Sequence, residues 1–397
     1  MRKMSTFLVA LGLLVFAGPL QAQQVCPGLP YVANTPEDEL MQAVNGADKP
    51  EEQVAALDKF AQAHADSKFM PCVDEYYTMA YFKLNNFDKV VEYAEKGLAA
   101  NYKDVMLTLN LLKGYVGSGK VGDSAFDVIN QAPALIAAES KPPKPPTATD
   151  AEWQKTLEDN AALAKDELAY VVYAFLQLAP RVTDPNKRIE QLDRFSKTFP
   201  EDAAKNAAQI NYGYFSAYRM ANKPDKAIEY GEKTIAADPN NLEAYNFLAY
   251  AYSIGRTNPD KAADDAKKAI QLAQNLKKPE GLSDAQFKEA QDTQLGMAHL
   301  SLGFVTFTQA AASKGKKLQP AIDELKTAAD LLSANPELQG QALFYLAYAY
   351  ESGTPVNHRG AMDALTKAVS LQSSWKAQAY DLLGKVTKAV SKQAAEQ

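Results

Sequence analysis

Apolar residues recur at three- and four-residue steps along most of this 397-residue chain, and no stretch shows sustained apolar–polar alternation. That spacing predicts helices and no sheet. One helix is expected over about 70–84 (MPCVDEYYTMAYFKL), then a turn at Asn85-Asn86, then a helix over about 88–99. Val90, Ala94 and Gly97 put small residues on one face of the second helix. Small faces let two helices pack closely, and Tyr81 is placed to fill the space between successive hairpins. A further pair follows: a helix carrying Leu111, Leu112 and Tyr115, a glycine-rich turn over 117–123, and a helix reaching about 138.

The pattern repeats on two scales. Residues 90–101 (VVEYAEKGLAAN) return at 227–238 as AIEYGEKTIAAD, 137 positions on. Within each half a tyrosine near the end of one helix recurs after 34 residues, Tyr81 with Tyr115 and Tyr218 with Tyr252. A fixed period of this size marks stacked helical hairpins. Above it runs a longer period. Residues 57–68 resemble 192–203, and the tetrads Thr149–Glu152 and Ser283–Gln286 lie 134 apart. Both tetrads read as capping boxes, in which the hydroxyl takes an orphan backbone N–H and the Glu or Gln reaches back. Each is expected to open a helix of about 30 residues, ending near Ala179 and Ser313. A third start appears at 321–330, and a helix over about 374–391 has the one-sided apolar pattern of a terminal cap (Trp375, Ala379, Leu382, Leu383, Val386). The expected organisation is a leader over 1–22, an arm over 23–50, super-repeats over 51–179 and 180–313, and a truncated third with its cap over 314–397.

These hairpins resemble the tetratricopeptide (TPR) repeat, over most of residues 51–390. In the 208–241 segment Tyr218, Ala227 and Pro239 fall in the family's register, while Gly231 and Thr234 replace its usual aromatic and alanine. Tyr245, Leu248, Ala249 and Tyr252 match in the next unit, and LAYAY stands at both 248–252 and 346–350. The resemblance implies an all-α, right-handed α-solenoid that binds a protein or peptide in a concave groove. By register, the groove positions are Glu75, Met79, Lys113, Tyr212, Ser216, Arg219, Asn246, Tyr250, Phe344 and Tyr348. Tyrosine offers apolar contact and a hydroxyl at low rotamer cost, which suits such a surface. The family's clamp for a chaperone's C-terminal carboxylate needs Lys then Asn one turn apart. Here those positions hold Glu75 and Met79, Leu109 and Lys113, Tyr212 and Ser216, or Asn246 and Tyr250, so that ligand is not expected. Tyr81, Tyr115, Tyr218, Tyr252 and Tyr350 occupy packing positions instead.

The chain start reads as an export signal. Arg2 and Lys3 precede the apolar run 7–16, and Leu20-Gln21-Ala22 gives a small-residue exit. The run is too short to span a bilayer, which needs about 20 apolar residues. Export places the mature chain in the periplasm or outside the cell, with no stable membrane insertion, as an exported bacterial type of the family. An oxidising compartment and an even cysteine count favour a Cys26–Cys72 disulfide. Such a loop would stabilise by roughly 3–4 kcal/mol. The formal net charge of −6 becomes −8 without Arg2 and Lys3, which disfavours nucleic acid as a partner. Catalytic residues, metal ligands and cofactors are not expected. His64, His299 and His358 fall in different super-repeats, and the nucleophile-elbow, zinc-protease and phosphate-loop motifs are missing. The expected function is a non-catalytic envelope scaffold. The alternative is a small-molecule or glycan binder using the tyrosine-rich groove.

Overall fold

Helix starts are fixed by prolines and short polar caps. Pro50, Pro185, Pro224, Pro259 and Pro336 stand in the first helical turn, where the missing N–H costs nothing. Asp104, Thr149, Asp184, Asn241, Asn335 and Asn357 each accept a backbone N–H of the helix they open. The computed structural model describes residues 32–99, 104–312 and 318–396. The expected leader and Cys26 lie outside the described residues. Among the described residues all regular structure is helical, packed in consecutive pairs. No described helix is long and apolar enough to cross a membrane.

The chain forms two compact units, divided between Arg181 and Val182. The first contains α1 (Pro36–Gly46), α2 (Pro50–Ala63), α3 (Met70–Lys83), α4 (Phe87–Ala99), α5 (Val105–Ser118), α6 (Asp123–Glu139) and the long α7 (Asp150–Leu178). The second contains α8 (Pro185–Thr198), α9 (Pro200–Lys205), α10 (Ala207–Met220), α11 (Pro224–Ala237), α12 (Leu242–Gly255), α13 (Pro259–Gln274) and the long α14 (Asp284–Ala312). It continues with α15 (Gln319–Leu331), α16 (Pro336–Ser352), α17 (His358–Ser370) and α18 (Lys376–Glu396). Both long helices run 29 residues and open on the expected capping boxes. Thr149 and Glu152 exchange side-chain and backbone bonds, and Ser283 and Gln286 do the same.

The 137-residue repeat is written into the packing of each unit. In the first, Tyr93 stacks on Tyr77 with ring centroids 4.2 Å apart, and Tyr81 lies 5.5 Å away. In the second, Tyr230 stacks on Tyr214 at 4.5 Å, with Tyr218 at 5.3 Å. The inner hydroxyl of each stack donates to a carboxylate of an earlier helix, Tyr77 to Asp58 of α2 at 2.6 Å and Tyr214 to Asp193 of α8 at 2.7 Å. A lysine–glutamate–lysine clip closes each outer side: Lys89 and Lys96 on Glu92, Lys226 and Lys233 on Glu229, all at 2.7 Å. One lysine of each clip sits over the outer ring, Lys96 at 4.4 Å and Lys233 at 4.2 Å. The turn before each clip is a left-handed asparagine, Asn85 or Asn222. Asparagine tolerates that conformation because its short amide bonds locally.

The terminal helix α18 packs on the second unit. Ala379 and Val386 are buried, and Leu382 and Leu383 pack on the same cluster as Leu346 and Leu365.

Candidate interaction face

The first helices of the hairpins carry the expected groove positions, on α3 and α5 in the first unit and on α10, α12 and α16 in the second. In the first unit Glu75 is buried and Met79 half-buried on α3. Lys113 is drawn inward on α5. Its Nζ donates to Asn110 at 3.3 Å and lies over the rings of Phe82 and Tyr170, the latter from α7. Burial lowers its pKa from the ordinary lysine value, with Glu167 acting in the opposite direction. The long helix therefore supplies a wall to this position.

In the second unit the expected residues gather into three groups. At one end Tyr212 donates to Glu243 at 2.5 Å, and Arg219 pairs with the other oxygen of the same carboxylate. The Arg219 guanidinium also lies 5.6 Å from the Phe215 ring. Burial, then the bond to Glu243, pushes the Tyr212 hydroxyl up to about 12. Ser216 is half-buried one turn along α10.

In the middle, Asn246 is buried. Its amide donates to the side chain of Gln294 at 2.7 Å and to that residue's backbone oxygen at 3.2 Å. Tyr250 and Gln341 lie within 3.1–3.2 Å, so that the hydroxyl and the amide share a bond between α12 and α16. These two positions are therefore turned toward neighbouring helices, and the protein's own glutamines occupy them.

At the far end an aromatic group remains open. Phe344 contacts Tyr345, Tyr348 and Trp375 at centroid distances of 5.3–5.7 Å, and Phe304 approaches Tyr345 at 4.4 Å. Tyr348 is 46% exposed beside the Phe344 ring. Sequence reasoning missed Glu243, Gln294, Gln341 and Trp375 as members of this face. The first was visible only as an acidic residue in a first helical turn, and the glutamines carried no signal at all.

The histidines sit in separate settings. His64 packs against Phe60, His299 meets Glu324 at 2.5 Å, and His358 meets Glu351 at 2.9 Å. Among the described residues no group of three or more histidine, cysteine or acidic side chains is arranged to hold a metal. Cys72 is buried beside Val73, Tyr76 and Tyr77, and no described cysteine is free.

No family model and no curated protein matches the sequence. Solved structures with similar helical-repeat architecture include yeast Tom70, at 14% identity over 91% of this chain and 98% of that one, TM-score 0.31. Human IFIT1, solved as a dimer with m7Gppp-AAAA, is 12% identical over 91% of this chain and 82% of that one, TM-score 0.34. The Cut9 complex with Hcn1 from the APC/C is 13% identical over 90% and 91%, TM-score 0.28.

Proposed function

We propose that this helical-repeat protein is a non-catalytic scaffold of the cell envelope that holds a protein segment along the first-helix face of its second unit. The observation that carries the reading is the half-open aromatic group of Phe344, Tyr348 and Trp375. An apolar platform edged by hydroxyls suits a peptide, and such anchors supply most of the affinity of a protein interface. The paired Arg219 and Glu243 give the same unit a polar end at which a partner's backbone or carboxylate is met. Export rests on the leader pattern over 1–22, and a protein rather than a nucleic acid partner rests on the acidic balance of the chain.

The test is co-purification of the tagged full chain from the envelope of its own cells, with Tyr348→Ala and Arg219→Ala beside the wild type. A specific protein retained by the wild type and lost from both folded variants is expected. The same protein retained undiminished by both would reject this face. A second reading, capture of a glycan, draws on the same open Tyr348 ring, because sugar rings stack on exposed aromatics. Thermal stabilisation of the wild type by oligosaccharides, absent in Tyr348→Ala and without a protein partner, would favour it.

A further inference from the structure

A pocket of about 330 Å³ opens in the first unit between α7 and the chain that leaves α6. Trp153, Leu157 and Ala161 form one wall, at four-residue steps along a single face of α7. Lys141, Pro142 and Lys144 stand on the other. That second wall is stiff, because Pro142, Pro143, Pro145 and Pro146 each fix their own backbone and push the residue before them to extended conformation. Lys144 pairs with Asp150 at 2.5 Å and so ties the loop to the first turn of α7.

Two donors of this pocket are left over. Among the described residues the Trp153 indole N–H has no acceptor and the Lys141 ammonium has no carboxylate. The other polar side chains are engaged, Lys144 with Asp150 and the Ser140 hydroxyl with the Ala137 carbonyl at 3.0 Å. No acidic side chain is among the described lining residues, in a chain whose formal net charge is −6.

The repeat itself does not require this arrangement. The 134-residue offset sets Phe287 against Trp153, Asn275 against Lys141 and Gln291 against Leu157. Phe287 has no N–H to offer. Asn275 donates to the Gln271 carbonyl one turn back at 2.7 Å, and Gln291 donates to the Ala273 carbonyl at 2.9 Å, which ties α14 to α13. Only the brace is shared, as Lys278 with Asp284. The first unit therefore keeps the brace and adds two unpaired donors and an apolar wall.

These features select a ligand by charge and by shape. Unpaired donors with no acid beside them call for an anion, and charge-assisted bonds to a carboxylate are about twice as strong as neutral ones. Indole, leucine, alanine and proline suit a flat hydrocarbon ring. A sugar acid would bring several hydroxyl donors, and the lining offers one side-chain acceptor, the Ser140 oxygen. The volume is at the small end for ligand pockets and limits the ligand to about one ring. We propose that this pocket binds a small aromatic carboxylate, its ring against Trp153, Leu157 and Pro142 and its carboxylate on Lys141 and the indole N–H.

The experiment titrates the full chain with sodium phenylacetate by calorimetry. The same titration of Trp375→Phe, in which Trp153 is the sole indole, is followed by fluorescence. Saturable heat and a saturable change of Trp153 emission are expected. Lys141→Asn and Trp153→Phe install the second unit's residues, so both should keep the wild-type thermal midpoint. Lys141→Asn should weaken binding about tenfold, and Trp153→Phe about threefold or more. A wild-type response that stays linear with concentration overturns the proposal, as does affinity unchanged in both folded variants. Equal binding of phenethylamine, the same ring with the opposite charge, also overturns it. Equal binding of acetate would show that the ring contributes nothing, and tighter binding of glucuronate would assign the pocket to a sugar acid; either result rejects an aromatic carboxylate.

Discussion

The hydroxyl of Tyr252 donates to Glu232, 20 residues upstream on the neighbouring helix. Lys261 meets the same carboxylate oxygen. Burial, followed by this bond, holds the phenol well above its ordinary range. Tyr115 and Glu95 make the same bond in the first unit, where Ser124 takes the place of the lysine. Tyr252→Phe keeps the ring and removes the bond. Losing a hydrogen bond to a charged group costs about 1.5–3 kcal/mol. The thermal midpoint of Tyr252→Phe should fall by several degrees, and Tyr115→Phe should behave alike. A midpoint unchanged in both would mean that the ring alone, and not the bond, matters at these positions.

Close approach of α14 and α15 depends on Gly303. A Cβ there would meet Cγ of Leu325 at 2.7 Å and the backbone nitrogen of Leu325 at 3.0 Å. The side chain could rotate away, but the backbone could not. Gly303→Ala should destabilise by about 1–3 kcal/mol despite alanine's better helix propensity, the range for overpacking a filled core. Gly46→Ala, where a Cβ meets nothing, is the control and should leave the urea midpoint unchanged or slightly raised.

The capping boxes and the repeated hairpin phrase could be read in the chain because their geometry is local or repeated. Thr149 and Glu152 are three residues apart, and the Tyr93 environment recurs intact at Tyr230. The interaction face was less legible for a physical reason. Asn246 and Tyr250 fall in groove register, yet their surroundings come from Gln294 and Gln341, 48 and 91 residues away. No short-range rule announces that α14 will lie against Asn246 and α16 against Tyr250.

Cys72 is 1% exposed within the cluster of Leu40, Leu57 and Val73. We expect it to pair with Cys26. Mass spectrometry after alkylation of the non-reduced native and denatured protein should show neither thiol labelled, and Cys26→Ser should lower the thermal midpoint. Two alkylated thiols in the denatured, non-reduced chain would reject the pairing. The expected loss is about 4 kcal/mol on chain-entropy grounds, enough to dominate the stability of the first unit.

Two carboxylates, one in each unit, give the sharpest dependence on pH. Burial raises Asp265 from 3.8 to about 6, opposed by Lys261 and reinforced by Glu232 and Asp264, with Tyr245 and Tyr252 also within its field. Burial likewise raises Asp74 to about 6, with Lys96 opposing and Glu92 reinforcing. A carboxyl whose pKa is raised on folding binds more protons in the folded than in the unfolded state. Its contribution is therefore favourable at low pH and is lost as pH rises from the unfolded value of 3.8 through about 6. The sister units supply the substitutions: Val128 stands where Asp265 does, and Asn211 stands where Asp74 does. Asp265→Val and Asp74→Asn should raise the thermal midpoint at about pH 8 and change it much less at about pH 3, below the unfolded value, where the wild-type carboxyls are mostly protonated in both states. A gain of equal size at both pH values would show that packing, not ionisation, separates the variants from the wild type.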